Sequence, residues 1–385
     1  MFWIIKKTVI PPILFEIKDE LKKKRKGFKI KTMKESDLTK EEKRLVQQIL
    51  TQTKIKNENN ITRTQAYFDF YQRHPEIHWA FLGHMVSRNG GWNMTDLKGE
   101  LLSNLLNEQE QQSFFSFLER GNWLIFQDVY PQFLLYEESI KRKKPLFYLL
   151  PIFHVSTFME TIWNHFWKYG DPYILAIALV INEQSYLEKR VIQNPLFQKE
   201  VFHTIEFKLQ DLLSLNHILF PYYDEYKKQK IGLIGQTLHH FGSLHERILL
   251  GKRLYSLLFH KQDMLYKLVR WAASCPHMGT RKDYWPHLFN DVYESVPGKP
   301  YRRRIKNCQI QQGIPRIYSP RLAYAWKNVT HEEADKGDWF DDWTIIHYLN
   351  KQDEEINGEI ADEYCKTLEK MELAIIAKKA IFRPQ

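Results

Sequence analysis

Apolar residues return along this chain at steps of three and four. Capping residues, prolines and glycines cut that pattern into helix-sized lengths. Thr39 to Glu42 forms a capping box and starts a helix carrying Leu45, Val46 and Ile49 on one face. After a polar linker from Asn57 to Asn60, Thr62 is expected to cap a helix carrying Ala66, Tyr67, Phe70 and Tyr71. His74 ends it, because a proline disfavours helical backbone at the residue before it. Pro75 suits the first turn of a second helix, with Ile77, Phe81, His84, Met85 and Arg88 on or near one stripe. Asn89, Gly90 and Gly91 are expected to stop that helix through positive φ. Asn93 or Thr95 would then cap a third, running through Leu97, Leu101, Leu102, Leu105 and Leu106.

The same punctuation continues. Asn107 opens a phenylalanine-rich segment with a kink or boundary at Pro131. Pro151 opens a helix to Lys168, and Gly170 closes it. Asp171 and Pro172 start a helix through Leu187 that is apolar on most sides, the pattern of a central element. Asn194 and Pro195 start one to about Phe220, Gly232 to Phe259 reads as a helical hairpin or bent helix, and Leu265 to Ser274 as one more. Sustained alternation, the mark of strands, is nearly absent. Pro276 to Pro320 is proline-rich and basic, with a short helix near Asp283 to Tyr293. Arg321 to Trp326 and a helix from about Glu354 to Lys378 follow. The expected fold is all-α: a multi-helix bundle with a loop-rich, basic segment near the C-terminal end. It divides into a basic extension (1–36), a helical domain (37–330), and an acidic segment with the C-terminal helix (331–385).

A chain of 385 residues buries a full core, and its 24 Phe and 20 Tyr make that core bulky. The formal charge of +10 favours an anionic partner, a nucleic acid or a membrane surface. Lysines crowd the segment from Lys22 to Lys34 and arginines the segment from Arg302 to Arg304, while Asp335 to Glu359 is acidic. The odd number and wide spacing of Cys275, Cys308 and Cys365 argue against a disulfide framework and for a reducing cytosol. The longest apolar run, around Ile174 to Ile181, is too short to span a bilayer, which predicts no transmembrane segment. Apolar groups ahead of the N-terminal lysines offer a peripheral membrane contact instead.

The densest chemistry lies from Ser87 to Asp96. Capping and core-filling account for Asn93, Asp96 and Trp92 there. A ligand site built from His78, His84, Arg88, Asn89, Trp92, Asn93 and Asp96 is the sharper reading. His74 and His78 are four apart, but Pro75 and the position of Glu76 spoil a His-Glu-x-x-His zinc motif, so no metal ligands are assigned. Glu200 to His203 gives a single di-iron-type element without a second copy, and His239, His240 and His245 form a further histidine-rich turn. No phosphate loop, dinucleotide fingerprint or nucleophile elbow is present. Arg281, Lys282, Arg302, Arg303, Arg304 and Lys306, interleaved with aromatics, suit anion contact or pairing with the acidic segment.

The run from Thr62 to Gly99, TRTQAYFDFYQRHPEIHWAFLGHMVSRNGGWNMTDLKG, resembles the YppC-like family of uncharacterised proteins from Bacillus relatives, as does the run from Gly279 to Phe289. The resemblance extends from about Ile61 to about Ala325 and implies no activity, cofactor or site residue. The expectation is a cytoplasmic helical binding or scaffold protein with an anionic or protein partner. An enzyme, metal-assisted and hydrolytic, using the patch from His84 to Asp96 is the alternative, and attachment to a membrane through the N-terminus is a third reading. Cofactor and oligomeric state are left open by the sequence.

Overall fold

A computed structural model of the chain describes residues 12–26, 35–202, 216–224, 231–295, 301–351 and 356–381. Most of this is helix, as the apolar periodicity requires. Helix α1 (Pro12–Lys26) inserts Leu14, Ile17 and Leu21 into the core against α7 (Thr157–Tyr169). Those apolar groups are therefore committed to the bundle. The rest of the proposed membrane contact, residues 1–11 and the lysines from 27 to 34, lies outside the described residues. No described helix is long and apolar enough to cross a membrane.

Helix α2 (Lys40–Lys56) starts at the Thr39–Glu42 capping box. Helix α3 (Asn60–Arg73) starts earlier than expected, because Asn59 is the cap and Thr62 returns the bond at the third position. Pro75 lies in the turn, and α4 (His78–Asp96) begins after it. Helix α4 then runs straight through Asn89, Gly90 and Gly91, correcting the expected break. The glycine signal was real but meant closeness, not reversal. A Cβ on Gly91 would lie 2.8 Å from His277 Cε1 and nearer still to Asn60 Oδ1. The third helix, α5 (Glu100–Leu105), starts after Gly99 rather than at Asn93 or Thr95.

Helix α6 (Glu108–Arg142) is capped by Asn107 and continuous through Pro131. Pro151 sits in a 3-10 turn, Phe147–Phe153, and not at a helix start. Ser156 caps α7, and Gly170, at φ 65°, ends it. Asp171 and Pro172 start α8 (Pro172–Leu187), whose run from Ile174 to Asn182 is wholly buried at the centre of the bundle. Pro195–Phe197 forms a single turn, α9, continued to Phe202; His203 and the rest of the predicted helix up to residue 215 lie outside the described residues.

Two strands replace expected helix. Strand β1 (His217–Tyr223) pairs antiparallel with β2 (Ile231–Thr237), with His217 opposite Thr237 and Tyr223 opposite Ile231. Both are buried on two faces, so no alternation marks them. Gly232 makes room for the Tyr222 ring, and a Cβ on Gly235 would overlap the Ile218 carbonyl. Asn89 stands in for a neighbouring strand: its amide donates to Leu219 O at 2.8 Å and its oxygen accepts from Leu219 N at 2.8 Å. Helices α10 (Leu244–Phe259) and α11 (Gln262–Ser274) then pack on the hairpin.

Between Pro276 and Pro320 the expected helix near Asp283 is a single turn, Arg281–Asp283, followed by strand β3 (Phe289–Asn290). The short hairpin β4 (Ile305–Lys306) and β5 (Gln309–Ile310) follows, and β6 (Ile317–Tyr318) pairs parallel with β3. After the turn α12 (Leu322–Ala325), the acidic segment threads back into the bundle, where Asp338 Oδ2 accepts from Thr157 N at 2.9 Å and Trp339 Nε1 donates to Asn182 Oδ1 at 2.8 Å. Helix α13 (Ala361–Ile381) closes the chain. Cys308 and Cys365 are joined in a disulfide, correcting the expectation drawn from their spacing. Glu372 of α13 accepts from the backbone N–H groups of Arg304 and Ile305, which docks the β4–β5 hairpin on that helix and brings the two cysteines together.

Candidate functional site

Helix α4 is buried along nearly its whole length, and its polar residues serve four different surroundings. His78 faces α10: its Nδ1 lies 2.9 Å from the Tyr255 hydroxyl and its ring stacks on Phe259 at 4.1 Å. Burial pulls its pKa down to about 4, so it is neutral. Asn89 holds β1, as described above.

The C-terminal turn of α4 meets Arg281. The guanidinium donates to Asp96 Oδ2 from Nη2 at 2.7 Å and from Nε at 3.0 Å. Nη2 also reaches Asn93 Oδ1 at 2.9 Å, and Nη1 donates to the Tyr284 hydroxyl at 2.9 Å. Trp92 packs edge-on against Tyr284 and donates to Asp283 Oδ2 at 3.3 Å. Burial opposes ionisation of both members of the pair, but this forked geometry keeps Arg281 charged. Asp96, Asn93 and Trp92 are thus satisfied by the protein itself.

His84 and Arg88, one turn apart, face a different cluster. Thr64 O accepts a 2.8 Å bond from His84 Nδ1, so the proton of the neutral ring sits there and Nε2 presents a lone pair. Burial first, and the Arg88 charge second, hold His84 well below the ordinary histidine range. Arg88 is 1% exposed. Its Nη2 donates to the carbonyl of Cys275, and its guanidinium lies 4.5 Å above the Trp271 ring. Its Nε and Nη1 are buried without a partner, as is His84 Nε2. No carboxylate among the described residues forms an ion pair with Arg88; Asp283 acts on it only at longer range.

The same cluster contains residues outside the candidate ligand set drawn from the sequence. Asn60 donates to Ser87 O at 2.9 Å, which fixes its oxygen toward His277 Nε2, also at 2.9 Å. The Ser87 and Thr64 hydroxyls are 2.6 Å apart. His277 Nδ1 lies 3.7 Å from Asp283 Oδ2, and both Nδ1 and Asp283 Oδ1 are buried without a hydrogen-bond partner. The cover over this cluster is the irregular stretch from Cys275 to Met278, whose residues apart from His277 are exposed or half-buried. Gly91 was the one available signal, since it marks where α4, α3 and His277 approach. Gly91→Ala is expected to cost about 1–3 kcal/mol through overpacking, read from the shift in a denaturation midpoint.

The basic candidates are mostly engaged. Arg304 is buried against Glu100, Arg303 pairs with Glu369 at 2.7 Å, and Lys282 with Asp291 at 2.6 Å. Arg302 and Lys306 are exposed. Changing Arg302 and Arg303 together to Gln is expected to cost under about 1 kcal/mol, because exposed ion pairs contribute little. A loss well above that in chemical denaturation would show that this surface is part of the packed structure. Among the described residues, no group of three or more His, Cys, Asp or Glu side chains is placed to hold a metal ion.

A family model described as "Protein of unknown function (DUF2515)" matches residues 55–365. Over 299 residues the chain is 40% identical to the uncharacterized protein YppC of Bacillus subtilis (strain 168), covering 77% of this chain and 84% of that one. No solved structure matches.

Proposed function

As the chain belongs to the DUF2515 family, whose description assigns no function, we propose from its own geometry that it binds a small protic oxyanion, or a ligand presenting one, at Arg88. The observation that carries this reading is a fully buried guanidinium with two nitrogens unpartnered and no carboxylate paired to it. A buried charge is costly unless paired and hydrogen-bonded, so an anion is the natural complement.

The donor–acceptor balance narrows the anion. Arg88 Nε and Nη1 ask for acceptors, while His84 Nε2 and Asp283 Oδ1 ask for donors. Hydrogenphosphate and hydrogencarbonate offer both in one ion. Sulfate and chloride offer acceptors alone. The cover from Cys275 to Met278 is irregular backbone in which Cys275 and Met278 are half-buried and Pro276 is exposed. This reading keeps an anionic partner but replaces a polymer with a small ion or headgroup.

The test is a set of thermal melts near neutral pH at fixed ionic strength. Phosphate or hydrogencarbonate is expected to raise the melting temperature at concentrations where sulfate and chloride do not. Equal effects from sulfate and phosphate would sink the protic assignment. No effect from either protic ion would sink the site.

A further inference from the structure

A cavity of about 210 Å³, partly open to solvent, lies on the side of α4 away from Arg88. Its wall is mainly apolar, with Trp79 and Val86 of α4, Ile125 of α6, Leu250 and Leu254 of α10, and Ile218 of β1. Besides the Tyr67 phenol, three charge-bearing side chains also reach it: Arg63, Arg247 and Glu183. Each arginine has its own carboxylate, Glu119 for Arg63 and Glu188 for Arg247. Arg247 is further tied to Gln184 Oε1 at 2.9 Å and Phe241 O at 2.6 Å. Glu183 forms no ion pair with a described residue, and its carboxylate accepts from the Gln184 amide at 2.8 Å.

We infer that this cavity is a binding site for a compact monoamine with an aromatic or branched apolar body, its ammonium paired with Glu183. An apolar pocket with a few convergent polar groups is the usual form of a small-molecule site. An engineered apolar cavity of about 150 Å³ holds benzene, so this one takes a ring with a short side chain. The charge balance selects the amine. With each arginine paired to another carboxylate, Glu183 is the carboxyl of the wall without an ion pair among the described residues, the Arg247 charge acting on it only at longer range. A carboxylate in the ligand would meet a like charge, whereas an ammonium supplies the missing counter-ion. Burial holds the Glu183 carboxyl up at about 7. It is therefore protonated below that pH and charged above it, and amine affinity should climb as the pH rises through neutrality.

Three probes of one shape separate the possibilities: phenethylamine, 2-phenylethanol and phenylacetate, titrated calorimetrically into the full chain. Wild-type protein is expected to bind the amine about tenfold more tightly than the alcohol, through a charge-assisted hydrogen bond, and phenylacetate least of all. Glu183→Gln should bring amine and alcohol to the same affinity while leaving the alcohol bound. Val86→Phe should fill the cavity and remove both. The two variants are first compared with wild type by circular dichroism, and Glu183→Gln carries the test alone should Val86→Phe fail to fold. No binding of phenethylamine by wild type, an amine preference that survives Glu183→Gln, or tightest binding of phenylacetate would each overturn the proposal. Of the Arg88 cluster only Ser87 also lines this cavity, and neither test changes it, so either can fail without the other.

Discussion

Arg281→Met is expected to destabilise the protein by about 3–5 kcal/mol, the usual cost of removing one partner of a buried ion pair. Arg281 is 1% exposed and gives Asp96 two hydrogen bonds. Without it, the Asp96 carboxylate stays inside, and Asn93 Oδ1 loses the bond from Arg281. Methionine replaces much of the volume, so the loss is electrostatic rather than a cavity. The double variant Arg281→Met with Asp96→Leu removes both charges and should recover much of the stability. Urea denaturation checks both, read as a change in midpoint at constant slope. A single variant losing under about 1 kcal/mol would place the pair among solvated ion pairs and contradict its structural role.

Arg88→Met is expected to have the opposite sign. Arg88 is as deeply buried as Arg281, but it has no carboxylate partner among the described residues. Replacing a buried charge by an apolar group of similar size is often neutral or stabilising by about 1–4 kcal/mol. Against that stands the stacking on Trp271, worth about 0.5–2 kcal/mol, and the bond to the Cys275 carbonyl. The net expectation in anion-free buffer is unchanged or higher stability. Arg88 on α4 and Arg281 against the end of that helix thus give contrasting outcomes, because Arg281 is paired with a carboxylate inside the fold and Arg88 is not.

Local chemistry in the sequence was enough to place several helix ends. Thr39 with Glu42, Asn107, and Gly170 followed by Asp171 and Pro172 all act through neighbours within four residues. The apolar run from Ile174 identified the central helix for the same reason. The misses are tertiary. Gly90 and Gly91 have the composition of a stop signal, yet Gly91 is needed for the approach of Asn60 and His277, which no local rule contains. Strand β1 carries a proline and β2 two glycines, and the pairing to Asn89 that steadies β1 comes from 130 residues away. The candidate site was half legible. His84 and Arg88 stand out by spacing on a helix, but His277 and Asp283 join them only through folding. The same spacing grouped Asn93 and Asp96 with Arg88, whereas the fold gives them to Arg281. Cys308 and Cys365, 57 residues apart, meet only because α13 docks on the β4–β5 hairpin.

We propose that Arg88 keeps its buried charge for a protic oxyanion. This is tested most directly by melting wild type and Arg88→Met side by side, in chloride and in phosphate at equal ionic strength. Phosphate is expected to raise the wild-type melting temperature and leave that of the variant unmoved, with the variant in chloride melting at or above wild type. A phosphate shift of equal size in both proteins, or a variant that melts far below wild type in chloride and gains nothing in phosphate over it because wild type gains nothing either, would contradict it.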